Sequence, residues 1–350
     1  MRIGMPLAYS GGFTETADRL ADYERSGLDV VLLPEAYSFD SVSQLGYLAA
    51  RTGTVEIASN ILNIYSRTPA LLAMTAAGLD YVSGGRFTLG IGASGPQVVE
   101  GFHGLPYRAP LARTREVAEI CRKVWRREPV EHRGTQFHLP LDREHGGSGV
   151  GKPLKLINEP VRERIPMMLA ALGPKNVTLA AELFEGWEPI FFYPEAARAA
   201  FGGALDAGLA LRDPSLGPLR IAVDTQVAVT EEETELVAAT DHVRRQLALY
   251  VGGMGARGKN FYNDLARRYG FEEAAETVQD LYLSGRKAEA AAAVPDALVH
   301  GVSLIGPLGW IKERVAAFAE VGVTQLNARP LAATHEHRVR DIGLLKETAT

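Results

Sequence analysis

The sequence predicts an α/β chain of the (β/α)8-barrel class, and three observations carry that expectation. Apolar runs of strand length alternate with helical patterns from end to end. The runs lack in/out alternation, as strands covered on both faces do. They number eight, nearly all joined by helices, and eight βα units close a barrel. A doubly wound open sheet with a second, helical domain is the competing arrangement.

The elements follow in order. Ile3–Ala8 reads as the first strand, and Thr14–Gly27 as a helix with Ala17, Leu20 and Ala21 on one face. Asp29–Leu33 is the second strand and Ser41–Ala50 a helix. Val55–Leu62 is the third strand. Pro69 suits the first turn of the next helix, and Gly84-Gly85 its end. Arg86–Gly92 is the fourth strand. Arg113–Trp125 places Val117, Ile120, Cys121, Val124 and Trp125 on one helix face.

Residues 127–164 break the pattern. They are polar and rich in glycine and proline, and read as an insertion after the strand-4 helix, with a short hairpin around Gly134. The alternation resumes with strands at Pro166–Leu172, Trp187–Phe192 and Leu219–Ala228, and a helix at Pro174–Phe184. A helical insertion spans about 231–298. Pro307 opens a helix with Ile311, Val315, Phe318 and Ala319 on one face. Val323–Ala328 is the last strand, and a polar helix closes the chain. Residues 1–350 thus read as a single barrel domain with two insertions.

Composition narrows the function. With 46% hydrophobic and 23% charged residues a large core is available, so disorder and coiled coil are excluded for the whole. The net charge of −5, with no basic block, argues against nucleic acid. No apolar stretch is long enough to span a bilayer, so no membrane partner is expected. The first residues, Met1-Arg2-Ile3-Gly4, do not open a signal peptide. One cysteine, Cys121, makes no intrachain disulfide, and a cytoplasmic location is expected.

In a barrel the chemistry sits in the loops after the strands. Glu35 follows strand two in Leu33-Pro34-Glu35-Ala36-Tyr37, where a carboxylate either relays protons or pairs with a barrel arginine. Ser59-Asn60 interrupts an apolar strand, and buried polar groups need partners, from a ligand or from neighbouring backbone. Gly90-Ile91-Gly92-Ala93-Ser94-Gly95-Pro96-Gln97 fits G-x-G-x-x-G. It follows the fourth strand rather than the first and lacks the acidic strand end downstream, so a dinucleotide fold is disfavoured. A glycine-rich turn still presents backbone N–H groups to an anion. Ala171-Leu172-Gly173-Pro174 is a second possible cradle. His132, His138 and His145, and the pair His335 and His337, fit no known zinc spacing, so no metal is expected. His103 follows the glycine-rich loop.

These residues carry a family likeness. The segment from Leu33 to Gly104 contains GASGPQVVEG, and the segment from Leu249 to Glu273 contains YVGGMGARGKNFYNDLA. With RTREVAEICRKVWRRE (113–128) and GKPLKLINEPVRERIPMMLAALGPKNV (151–177), they resemble the luciferase-like flavin and deazaflavin superfamily. Within it, they are similar to the oxidoreductases that use coenzyme F420.

The resemblance implies a bacterial-luciferase-like TIM barrel with the deazaflavin in its mouth. It implies a non-proline cis peptide at Ser59-Asn60, with Ser59, Asn60 and Ile61 against the central ring. It assigns Gly92, Ala93, Ser94, Gly95, Pro96 and Gln97 to the phosphate loop, and Ala171, Leu172, Gly173 and Pro174 to a second cofactor loop. Several relatives carry a histidine after strand two, where this chain has Ala36 beside Glu35. The proton donor is therefore sought among Glu35, Tyr37 and His103. The implied activity is hydride transfer between C5 of the deazaflavin and a small organic substrate: reduction of an activated C=C or C=N bond, or oxidation of an alcohol. An FMN-dependent monooxygenase on the same barrel is the nearest rival, and a non-catalytic deazaflavin-binding protein is a second. Relatives of this kind are often homodimers.

Overall fold

The computed structural model describes residues 1–8 and 11–349. Its centre is a closed barrel of eight parallel strands: β1 (Arg2–Pro6), β2 (Val30–Leu33), β3 (Glu56–Ser59), β5 (Phe87–Gly92), β8 (Met167–Ala170), β9 (Gly186–Glu188), β10 (Arg220–Val229) and β12 (Gln325–Pro330). Each pairs with the next in that order, and β12 pairs with β1 to close the ring. A two-residue strand β4 (Leu62–Asn63) continues β3 past an interruption at residues 60–61. The eight barrel strands coincide with the eight apolar runs of the sequence.

The outer layer is helical. Asp40 accepts from the Ser43 N–H to start the helix Ser41–Arg51, and Thr68 does the same for Leu71 before Pro69–Val82. The helix Pro110–Trp125 buries Val117, Ile120, Cys121, Val124 and Trp125, and the Trp125 indole donates to the Ala73 carbonyl at 3.0 Å. Burial pushes the Cys121 thiol up to about 12, consistent with a packing role.

Four sequence expectations need correction. The first helix is two short ones, Phe13–Ala17 and Leu20–Arg25; the break at Asp18-Arg19 shifts the phase, so Tyr23 is buried and Ala21 is exposed. In the helix Leu308–Glu320 the inward position expected of Ala319 is taken by Arg314, whose guanidinium binds Glu195 and the Gly301 carbonyl. The helical insertion ends in a strand, β11 (Leu304–Gly306), which takes the edge of β10 beyond the reach of β9, opposite β12. Three residues are too few to show a period. The cis peptide lies at Asn60–Ile61, one bond later than Ser59-Asn60.

The first insertion carries a hairpin, β6 (His132–Arg133) and β7 (His138–Leu139). The buried Glu116 carboxylate holds it, accepting from the N–H groups of Thr135 (2.8 Å), Gln136 and Phe137 (2.9 Å). The second insertion is a set of helices between Glu233 and Gly301, with one turn of π-helix at Leu249–Gly253. Among the described residues no helix is long and apolar enough to cross a membrane.

Candidate active site

A cavity of about 400 Å³ opens at the C-terminal ends of the strands. Its wall is built where the pairing of β3 and β5 breaks. Backbone pairing stops at Ala58 and Thr88 and restarts at Leu62 and Ile91. The Ser59 hydroxyl fills the gap, donating to the Gly90 carbonyl (2.8 Å) and accepting from the Gly90 N–H (2.9 Å). Both of Gly90's polar groups are thereby satisfied without a backbone partner. Gly90 has to lack a side chain, because a Cβ there would overlap the Ser59 carbonyl oxygen. Ser59 itself is fully buried behind the wall, while Asn60 and Ile61 line the cavity.

Asn60 is tethered from the far side of the barrel. Its amide donates to Asp224 at 3.1 Å, and the Asn327 amide donates to the same oxygen at 2.9 Å. Beside Asp224 lies Glu188, at the end of β9, and both line the cavity. One Glu188 oxygen, Oε2, is buried with no hydrogen-bond partner. Burial drives the Glu188 carboxyl well above the ordinary glutamate range, and the nearby Asp224 adds to the effect against a weaker pull from Arg220. Asp224 is also raised by burial, though its two amide donors oppose this.

The glycine-rich loop is split by the fold. Gly92, Ala93 and Ser94 line the cavity, with Ser94 at a positive φ of 56°. Gly95, Pro96 and Gln97 start the short helix Pro96–Gly101 outside the lining. The Tyr107 hydroxyl donates to the Ser94 carbonyl at 3.3 Å, and its ring stacks on Tyr65. Burial pushes Tyr107 up to about 12, so it stays a hydrogen-bonding phenol. On the next side Ala171, Leu172 and Gly173 line the cavity with Asn176, while Pro174 sits outside at the start of its helix.

The candidate proton donors fare differently. Glu35 lines the cavity, but Arg67 grips both of its oxygens at 2.6 and 2.9 Å, and the Ser41 N–H adds a third bond. Arg67 also reaches Asp40, so the cluster fixes the loop after β2. Tyr37 is 67% exposed and packs against Phe102, outside the lining. His103 meets the other side of Phe102 and is likewise outside.

Several lining residues had no signal along the chain. Glu188, Asp224, Gln226 and Arg329 come from strands six, seven and eight. The helical insertion adds an aromatic wall in which Tyr250 packs edge-on to Tyr262 (4.8 Å) and to Phe191 (5.1 Å). Asn260 holds it together, donating to the Tyr250 and Val251 carbonyls and accepting from the Tyr262 and Asn263 N–H groups. This is the YVGGMGARGKNFYNDLA segment, distinctive in the sequence but without a stated role there.

A closed eight-stranded barrel with a pocket opening at its C-terminal mouth defines the chain as a (β/α)8 enzyme. More specifically, it belongs to the luciferase-like monooxygenase family, whose model matches residues 1–325. A Mycobacterium tuberculosis protein, provisionally named a coenzyme F420-dependent oxidoreductase, is 40% identical over 350 residues, covering 99% of both chains. The 5,10-methylenetetrahydromethanopterin reductase of Archaeoglobus fulgidus is 29% identical over 91% of each chain. Among solved structures, the coenzyme F420-dependent tetrahydromethanopterin reductase of Methanopyrus kandleri superposes with a TM-score of 0.79. That pair is 20% identical, with 99% of this chain and 97% of the other covered, and supports the fold.

Proposed function

We propose that this protein is a coenzyme F420-dependent oxidoreductase that moves a hydride between C5 of the deazaflavin and a small organic substrate. The observation that carries the reading is the convergence, on one cavity, of the Asn60–Ile61 segment, the Gly92–Ser94 turn and the Ala171–Gly173 turn. The relative that shares 40% of its sequence end to end supports the choice of cofactor.

The residues present fit such a group. The cavity volume lies in the range of small-ligand sites. Gly92 gives the wall its room: a Cβ there would come within 3.0 Å of the Ile61 side chain. Asn60 and Ile61 would support the ring, the Gly92–Ser94 turn would face an anionic group, and Ala171–Gly173 would flank the ring. When bound, the deazaflavin supplies two-electron hydride chemistry.

The chain's own part is the proton. Reduction of a C=C or C=N bond needs a proton at the atom that does not receive the hydride. Glu188 is suited to give it, because burial and a second carboxyl beside it raise its affinity for a proton. Asp224 keeps Asn60 in position through its side-chain amide. The aromatic wall of Phe191, Tyr250 and Tyr262 excludes water and packs against the substrate's apolar body. Glu35 is a positioning residue in this scheme, bracing the loop after β2 through Arg67.

Fluorescence titration of the purified protein with F420 and, separately, with FMN tests the assignment. Selective micromolar-range F420 binding is the expected result. Preference for FMN would move the protein to the flavin-dependent monooxygenases that name its family. Binding of neither would overturn the cofactor reading.

A further inference from the structure

The first insertion holds a cluster unrelated to the barrel mouth. His138, Asp142 and His145 each present one ligand atom, and the three atoms lie within 4.8 Å of one another. None of the three lines the cavity. The turn is closed by its own backbone: the Gly147 N–H donates to the Asp142 carbonyl at 2.7 Å. Gly147 has no room for a side chain, because a Cβ would overlap the Leu141 carbonyl. Asp142 Oδ1 accepts from the His145 N–H at 3.0 Å and meets His145 Nδ1 at 2.6 Å. The His138 and His145 rings stack with centroids 3.5 Å apart.

His138 Nδ1 is buried and makes no hydrogen bond among the described residues. A buried polar atom left unpaired costs about 1–3 kcal/mol, so the arrangement asks for a ligand. We propose that His138, Asp142 and His145 bind a divalent transition-metal ion of the Zn²⁺ type. Two imidazoles and one carboxylate are the donors that Zn²⁺, Co²⁺ and Ni²⁺ take. Around a tetrahedral ion with metal–ligand distances of about 2.0–2.2 Å the ligand atoms lie about 3.3–3.6 Å apart, so the turn has up to about 1 Å to close. Ca²⁺ and Mg²⁺ are disfavoured because they take oxygen ligands.

His145 is exposed, so water completes the coordination sphere. The site's role is to tie the hairpin strand β7 to the turn after it. The loop has little apolar packing of its own: Leu141 is 47% exposed and Val150 is 83% exposed. A metal clip supplies the closure that burial does not.

The test uses untagged, chelator-treated protein titrated with Zn²⁺ by calorimetry, and with Co²⁺ by its visible absorption. One equivalent should bind with a dissociation constant of about 10 µM or tighter. Co²⁺ should give d–d bands, and His138→Ala, Asp142→Ala and His145→Ala should each weaken binding about tenfold or more. Trypsin should cut after the exposed Arg143, which lies between the ligands, and Zn²⁺ should slow that cut in the wild type alone. Because His145 is exposed, its replacement keeps the test valid even where the His138 variant folds poorly. Absence of binding, or binding unchanged in the His145 and Asp142 variants, would overturn the site.

Discussion

A buried carboxyl with one oxygen lacking a hydrogen-bond partner among the described residues, next to another carboxyl, favours its protonated form because charging it there is expensive. That is the situation of Glu188. Its folded pKa lies above its unfolded one, so its contribution to stability is complete below the unfolded value and is lost as pH rises towards the folded value. Glu188→Gln removes that loss. The melting temperature of the wild type should therefore fall more than that of the variant as pH rises above the ordinary glutamate range. The same replacement should cut turnover by about a hundredfold while leaving F420 affinity within about threefold. Unaltered turnover would make Glu188 a spectator. Glu35 is the contrasting case, since Arg67 occupies both its oxygens. Glu35→Gln and Arg67→Ala should each destabilise by about 1–3 kcal/mol, and a double-mutant cycle should give strong coupling between them. Additive effects would mean the pair contributes nothing as a pair.

The two insertions do different work. The hairpin β6–β7 is held by one carboxylate, Glu116, which accepts from three consecutive backbone N–H groups. Gly134 leaves space for it: a Cβ there would overlap Glu116 Oε2. Gly134→Ala should therefore speed proteolysis within residues 127–164 severalfold, read by mass spectrometry, with the barrel left resistant. Equal resistance would show that the hairpin tolerates the displacement. The helical insertion instead forms part of the wall of the cavity at the barrel mouth. Phe191→Ala removes the ring that packs edge-on to both Tyr250 and Tyr262 and should raise KM for substrate about tenfold without moving F420 affinity. A loss of F420 affinity instead would place that wall on the cofactor.

At the level of the whole molecule, the barrel is closed by its two ends. The Met1 ammonium donates to the Ala349 carbonyl at 2.6 Å. Lys346 in the last helix, His335–Thr348, binds the Asp29 carboxylate, which also accepts from the Ile3 N–H in β1. Ile342 and Leu345 from that helix are fully buried. Truncation after Thr334 removes both, and buried aliphatic groups of this kind are worth about 2–5 kcal/mol each. The truncated chain should lose its single cooperative unfolding transition, measured by calorimetry. A retained sharp transition would show that the strand ring closes without the helix.

The sequence by itself determined the barrel. Eight apolar runs without alternation mark strands covered on both faces, and that signal is local to each run, so all eight survive into the structure. The same holds for the amphipathic helix Pro110–Trp125 and for the insertions, where periodicity or its loss is visible in the chain. Asn60–Ile61, Gly92–Ser94 and Ala171–Gly173, which line the cavity, were marked in the sequence by polar or glycine-rich breaks at strand ends and given a cofactor role by the family resemblance. Tertiary structure alone decided the rest. Glu188 and Asp224 are 36 positions apart and sit in ordinary strand contexts; only barrel closure sets them on one cavity and takes their water away. Tyr37 and His103 follow strands as readily as Glu35 does, yet lie outside the cavity, because side-chain direction in a loop depends on what packs against it. The spacing of His138, Asp142 and His145 matches no familiar metal pattern, and the closed turn between Asp142 and Gly147 is what brings them together. Periodicity is written residue by residue, whereas proximity and desolvation are properties of the folded chain.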